Sequence, residues 1–325
     1  MQLKMTIISK IIYAFSKICS KTMKFHRNYK KYKQDPYFQA QYRNNTAGAL
    51  LYNGLINSAP FIAARLGAYE INCLKEFIVS SQIASIIKMP DDKVTFSKKL
   101  KDAMENNTGF FPPTDINLVQ FSKLLLSDIT SVDVLGSFMW EETLLKKELQ
   151  NAKKIPLYDI EPFKHDTPWT VALAGKKVLV IHPFEDTIRY QYEKRNLWLK
   201  NRDFCPDFEL ITLKAVQSVA GCRTEFASWF DALHFMENKI NAIDFDIAII
   251  GCGAYGLPLA AHIKRLGKKA IHMGGATQLL FGILGKRWED NNSFLKENIF
   301  NEYWIRPLDS DKPSGFQRVE GGCYW

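Results

Sequence analysis

The run Ile247–Ile250, IAII, limits what this chain can fold into more than any other stretch, because it is apolar at every position and β-branched at three of them. A strand wet on one face alternates apolar with polar residues. A strand apolar throughout is covered on both faces, as in a parallel sheet flanked by helices. Pro60–Ala64, Val132–Phe138, Lys177–Ile181, Phe208–Leu213 and Lys269–Met273 have related strand character. Between and behind them lie segments with helical spacing: Ile71–Val79, Asn117–Ser127, Glu141–Asn151, IRYQYEKRNLWLK from Ile188, Phe226–Ile240 and Leu257–Leu266. Asp186 or Thr187 falls near the N-cap of the helix that follows His182–Pro183. NNTGFFPP and HDTPWT read as loops, with KKIPLYDIEPF as the lead into the second. Strands alternating with helices predict an α/β fold: a Rossmann-like, mostly parallel sheet with helices on both faces. Hydrophobic residues at 46% and aromatics at 13% are enough to fill such a core.

The formal charge of +9 suggests a nucleic-acid partner until the charge is located. Residues 1–35 hold nine Lys and Arg against one acid, Asp35, and the remainder is close to neutral. No nucleic-acid partner is therefore expected. In the head, Ile8, Ile11, Phe15 and Ile18 recur at helical spacing while Lys10, Lys17, Lys21 and Lys24 follow another face. Such a basic amphipathic helix suits an anionic membrane surface; a frayed tail or a helix docked on its own domain are the alternatives. Lysines interrupt it too often for a span, and no small-residue cleavage site follows it. The expected organisation is a basic amphipathic segment over 1–40 and a single α/β catalytic-type domain over 41–325. The expected location is cytoplasmic, peripheral at the inner face of the membrane. The six cysteines are scattered with no C-x-x-C, which fits a reducing compartment and gives no zinc signature.

After IAII comes G-x-G-x-x-G as Gly251, Gly253 and Gly256, then a helix with Pro258 in its first turn and Gly267 as its stop. Glycines between a strand and a helix N-terminus are where a phosphate is held by free N–H groups and the helix dipole. A dinucleotide site also needs an acid about 20 residues on, for the ribose hydroxyls. Ile271, His272, Met273, Gly274 and Gly275 supply none, so no NAD or flavin is expected. The turn then serves another phosphate or substrate, or only close packing.

In parallel α/β sheets ligands bind outside the carboxyl ends of the strands. The residues there are Arg65, Gly67 and Glu70; His182, Glu185 and Asp186; the glycine turn with Tyr255; then His272, Gly274, Gly275, Thr277 and Gln278, followed by Lys286, Arg287 and Trp288. Arginine and lysine suit phosphate, and carboxylates suit sugar hydroxyls. Each has a structural alternative: acids favour helix starts, His182 precedes a proline turn, His272 sits within a strand, Lys286 and Arg287 suit a solvated loop, and Cys252 suits a tight buried turn. Trp288, Trp304 and Trp325 read as packing residues. G-x-S-x-G, H-E-x-x-H and G-x-x-x-x-G-K-[ST] are all absent from the sequence.

FIAARLGAYEINCL, from Phe61, resembles the strand–loop–helix of the GT-D type bacterial glycosyltransferases (the D-x-E superfamily), where a strand ends in R-x-G-D-x-E. Arg65, Gly67 and Glu70 match the arginine, the glycine and the final acid; Ala68 stands at the aspartate position. The C-terminal half, with VIHPFEDTI, IHMGGATQLLFGILGKRW and EGGCYW, resembles bacterial proteins found among polysaccharide biosynthesis functions. The resemblance implies transfer of a sugar, of hexosyl type, from a nucleotide-sugar donor to a surface polysaccharide, glycan or lipid-linked acceptor. Glu70 would face the donor sugar or an Mn2+ or Mg2+ ion that Ala68 leaves poorly held. Arg65 and the turn at 251–256 would face the diphosphate, and His182, Glu185 or His272 would be the base. The alternatives are a non-catalytic scaffold of the same pathway and an NAD-linked enzyme.

Overall fold

The computed structural model describes residues 40–325 apart from Ile87; the basic head and the amphipathic helix expected in it lie outside the described residues. Among the described residues seven strands form one sheet: β1 (Phe61–Ala64), β2 (Val134–Ser137), β3 (Lys153–Pro156), β4 (Lys177–His182), β5 (Glu209–Lys214), β6 (Ile247–Ile250) and β7 (Lys269–His272). Their order is β3-β2-β1-β7-β6-β4-β5, and every pairing is parallel. The longer helices are α1 (Asn45–Ile56), α2 (Ala68–Ile86), α3 (Asp115–Ile129), α4 (Glu185–Glu193), α5 (Trp229–Asn241) and α6 (Gly256–Arg265). The fold is thus α/β and Rossmann-like, with a sheet that is parallel throughout.

Strand side chains sort by parity, as the two-residue pleat requires. Ile62, Ala64, Leu179, Ile181, Ala248 and Ile250 share a core with Leu74 of α2, Phe121 of α3, Met236 of α5 and Ile263 of α6. Phe61, Ala63, Val178, Val180, Ile247 and Ile249 share the opposite core with Leu51 of α1 and Ile188 of α4. Both faces are covered, which is why IAII has no polar position. Among the described residues no helix is long and apolar enough to cross a membrane, and the cysteines there are free, with Cys73, Cys205, Cys252 and Cys323 buried.

Three segments differ from expectation. Glu141–Asn151 is a 3-10 segment, Trp140–Leu145, followed by turns. Its charge pattern is not a solvated helix face, because Glu142 is fully buried. The Glu142 carboxylate accepts from the N–H groups of Phe138 (3.0 Å) and Met139 (3.1 Å) and from the Ser137 hydroxyl, pinning the chain into a tight turn. Lys153–Pro156 is a strand at the sheet edge, where a terminal proline is tolerated. Helix α4 begins at Glu185, with Phe184 at the cap position and Asp186 and Thr187 in the first turn, but it ends at Glu193 with a separate turn over Arg195–Trp198 instead of running on.

Candidate functional site

The chain enters the sheet at β1, moves outward to β3, re-enters at β4 and returns through β6 to β7, so its two halves meet at β1 and β7. Crevices at such reversals, outside the carboxyl ends of the strands, are where ligands bind. A cavity of about 420 Å³ lies there, lined by residues that follow all seven strands and by the C-terminal segment around Glu320, Tyr324 and Trp325. That volume is in the range of small-molecule sites.

Arg65, Gly67, Glu70, His182, Gly251, Gly253, Tyr255, His272, Gly274, Gly275, Gln278 and Arg287 all line it. Glu185, Gly256, Thr277 and Lys286 are not among its lining residues. The Glu185 carboxylate accepts from the Thr212 hydroxyl at 2.6 Å and pairs with Arg189 at 2.9 Å. Thr277 Oγ1 donates to the carbonyl of Ile250 at 3.0 Å, and Lys286 is exposed on a short helix.

The three glycines of the turn are each demanded by a close neighbour. A Cβ on Gly251 would lie 2.5 Å from the Gly274 carbonyl oxygen and 2.7 Å from His182 Cδ2, and one on Gly256 would lie 2.0 Å from His272 Cε1. Gly253 has φ +58°, and a Cβ there would lie 2.9 Å from the Thr108 carbonyl oxygen, so both conformation and space call for glycine. The motif lets two histidines and a loop approach the turn closely; Gly251 and Gly253 still face the cavity.

The two histidines are fixed in opposite tautomers. His182 Nδ1 accepts from the Phe184 N–H at 3.0 Å, which leaves the proton on Nε2. His272 Nδ1–H donates to the Ile250 carbonyl at 3.2 Å, which leaves a lone pair on Nε2. Burial pushes the His182 imidazole down to about 3. Burial and then the nearby Arg65 charge push His272 down to about 3, against the pull of the Ile250 hydrogen bond. At neutral pH one ring is therefore a neutral donor and the other a neutral acceptor.

The charged groups divide into paired and unpaired. Arg287 is held by the Glu320 carboxylate, with its Nη1 donating to the Tyr324 hydroxyl at 3.1 Å. Glu320 itself has φ +48°, a left-handed conformation that costs a non-glycine residue about 1–3 kcal/mol. Arg65 lies over the Phe138 ring, 5.1 Å from its centroid. No hydrogen bond or ion pair engages its guanidinium among the described residues. Glu70 is 8% exposed and its carboxylate lies so close over Gly67 that a Cβ there would be 1.8 Å away. Burial raises the Glu70 pKa, while Arg65 opposes that rise. Gln278 Nε2 ties the C-terminal segment to the wall, donating to the carbonyls of Leu284 at 2.8 Å and Tyr324 at 3.2 Å.

Glu161, Phe138, Tyr158 and Glu320 also line the cavity, and sequence reasoning missed them as site residues. Their signal was available for one group: Glu161 follows a strand as Glu70 does, but the strand, β3, reads as a loop. Burial pushes the Glu161 carboxyl up to about 7, with Lys164 pulling the other way. The folded state thus holds this proton across a range where the unfolded chain, near 4.5, has released it. Stability from this group is present below the unfolded value and is lost as pH rises through about 7. Asp128, pushed up to about 6 by burial despite Arg265, slopes the same way. Glu161→Gln is therefore expected to lose less stability than the wild type between pH 5 and 8 in parallel urea titrations; equal slopes would contradict this.

A resident divalent cation does not fit these residues. Among the described residues no group of three or more His, Cys, Asp or Glu is arranged to hold a metal. Glu70 has Ala68 where a second carboxylate would be needed and the Arg65 charge beside it. The fold and site define an α/β protein with a cavity at the carboxyl edge of a parallel sheet. No family model, no curated protein and no solved structure matches the chain.

Proposed function

We propose that the protein is a glycosyltransferase that moves a sugar from a nucleotide-sugar donor to a bacterial surface polysaccharide or glycan acceptor. The observation that carries this is Arg65: a guanidinium with no hydrogen-bond or ion-pair partner among the described residues, on the wall of a partly aromatic cavity beside the Glu70 carboxyl, at the edge of a parallel sheet. Such a cation suits a diphosphate whose negative charge grows as it leaves. Gly274, with φ +62°, lets the backbone pass close to Arg65 Cδ. Arg287 stands further along the wall, already oriented by Glu320 and Tyr324. His182 Nε2–H donates to a phosphate oxygen or sugar hydroxyl, and His272 Nε2 accepts from one. Glu70 accepts from donor-sugar hydroxyls, and no step runs through a metal ion. The basic head over 1–35 keeps the enzyme at the cytoplasmic face of the membrane, beside a lipid-linked acceptor.

Charge-assisted hydrogen bonds contribute about 1.5–3 kcal/mol each, so Arg65→Ala is expected to weaken nucleoside diphosphate binding by roughly 10–100-fold. Calorimetric titration with UDP, GDP and CDP, each with and without Mn2+, measures this. Binding that is unchanged in the variant, or absent from the wild type, removes the main support.

Ala68 favours a second reading, a non-catalytic binding protein of polysaccharide biosynthesis that retains the fold without the D-x-E acid. Nucleotide binding without sugar transfer to any acceptor distinguishes it. An NAD-linked enzyme is the least supported, since no acid follows the glycine turn at the spacing that would hold the ribose hydroxyls. A saturable fluorescence change with NADH would revive it.

A further inference from the structure

We infer that Glu161 is the carboxylate that takes the proton from the acceptor hydroxyl, and that Tyr158 and Phe138 form the platform on which the acceptor sugar lies. This rests on the glycosyltransferase reading and names the acceptor side of the same cavity.

The placement follows from β3. The strand ends at Pro156 and turns at once into a 3-10 segment over Leu157–Ile160. The Glu161 N–H closes on the Tyr158 carbonyl at 3.3 Å. Tyr158 lies within this segment and Glu161 caps its end in an extended conformation, and both line the cavity. Tyr158 is 65% exposed and Phe138 is 43% exposed, which is unusual for large aromatic residues at a concave surface. Arg65 lies over the Phe138 ring, so the platform adjoins the phosphate cation on one side and solvent on the other. An acceptor glycan is large and must enter from solvent, and aromatic faces receive the apolar faces of sugar rings. The buried part of the cavity, around Glu70 and the histidines, is left to the donor sugar.

Among the described residues the Glu161 side chain has no hydrogen-bond or ion-pair partner. A partly buried carboxyl without a partner is not there for stability. Its lifted proton affinity suits a base acting near neutral pH. In the step, the acceptor O–H bond breaks and its proton goes to Glu161 as the oxygen attacks the anomeric carbon. The anomeric C–O bond to the diphosphate breaks, and its electron pair leaves on the nucleoside diphosphate, facing Arg65. The displacement is in line and inverts the anomeric carbon.

The test uses the full chain, the nucleoside diphosphate that stabilises it thermally, the corresponding nucleotide sugar and a set of nitrophenyl glycosides as acceptors. Glu161→Gln is expected to keep the wild-type thermal shift with nucleoside diphosphate and lose at least 100-fold in acceptor-dependent nucleotide release. Glu161→Asp should recover part of the rate, and the acid limb of the wild-type pH–rate profile should vanish in Glu161→Gln. Tyr158→Ala should raise the acceptor KM with kcat nearly unchanged. Wild-type release by Glu161→Gln, or loss of its nucleotide binding together with its activity, overturns the assignment while the glycosyltransferase reading stands. A wild-type protein that binds no nucleotide, or binds the nucleotide sugar without transferring its sugar to any acceptor, overturns the reading itself, and the role of Glu161 falls with it.

Discussion

Trp229→Ala is expected to destabilise the fold by about 3–5 kcal/mol, the cost of deleting a fully buried indole from a core that closes only partly over the gap. Trp229 is 0% exposed and packs against Phe110 (ring centroids 5.4 Å apart), edge-on to Phe121 (5.2 Å) and face to face with Tyr255 (4.9 Å, interplanar angle 8°). Aromatic pairs add about 0.5–1.5 kcal/mol each beyond burial, so the upper end of that range is expected. The loss should also reach ligand binding, because Tyr255 forms part of the cavity wall and the indole is its stacking partner. Trp229→Phe provides the contrast. Among the described residues the indole Nε1 has no hydrogen-bond partner, so phenylalanine keeps much of the packing and removes a buried orphan donor. A urea titration should place Trp229→Phe much nearer the wild type than Trp229→Ala. Equal midpoints for the two variants would show that the stack contributes little.

Gly256→Ala is the second large effect, though it adds a single methyl group. The new Cβ would lie 2.0 Å from His272 Cε1 and 2.4 Å from Nδ1, a distance no pair of non-bonded carbons sustains. His272 is 4% exposed and bound through Nδ1 to the Ile250 carbonyl, so its ring can move only by breaking that bond or by shifting β7. Overpacking of this kind costs about 1–3 kcal/mol, and the lost hydrogen bond adds about 0.5–1.5 kcal/mol. Alanine ordinarily favours a helix over glycine by about 1 kcal/mol, so a stabilised Gly256→Ala would show that the ring has room after all. The expected result is a lowered urea midpoint with an altered His272 imidazole signal in NMR spectra.

That glycine shows what could be read before the structure. The sheet was legible because covered strands must be apolar at both parities, and IAII, KVLVI and FIAA state that directly. The edge strand KKIP was not legible, since a strand at a sheet border carries lysine and proline without penalty. Missing β3 hid Glu161 and Tyr158, because the rule of looking just beyond each strand has nothing to act on where no strand is seen. Glu141 and Glu142 misled for the opposite reason: acids usually mark a wet helix face, and here Glu142 turns inward to hold a backbone turn. In the G-x-G-x-x-G turn the pattern correctly gave a strand-to-helix corner. The demand for glycine came from His182, His272 and Thr108, residues distant in sequence that no local motif encodes.

The pairing of β1 with β7 bears on how the molecule is made. Phe61 aligns with Lys269 and Ala63 with Ile271, so a strand near the start of the described chain waits for one near its end. During synthesis from the N-terminus, β1, β2 and β3 can associate early, but one border of β1 stays bare until the ribosome has delivered β7. Such borders recruit other chains. Long-range parallel pairing is also slow to form. A nascent or truncated chain ending before Lys269 therefore exposes an apolar strand with an open ladder of donors and acceptors. Production of this protein should be limited less by the stability of the finished fold than by aggregation of chains still waiting for their central strand.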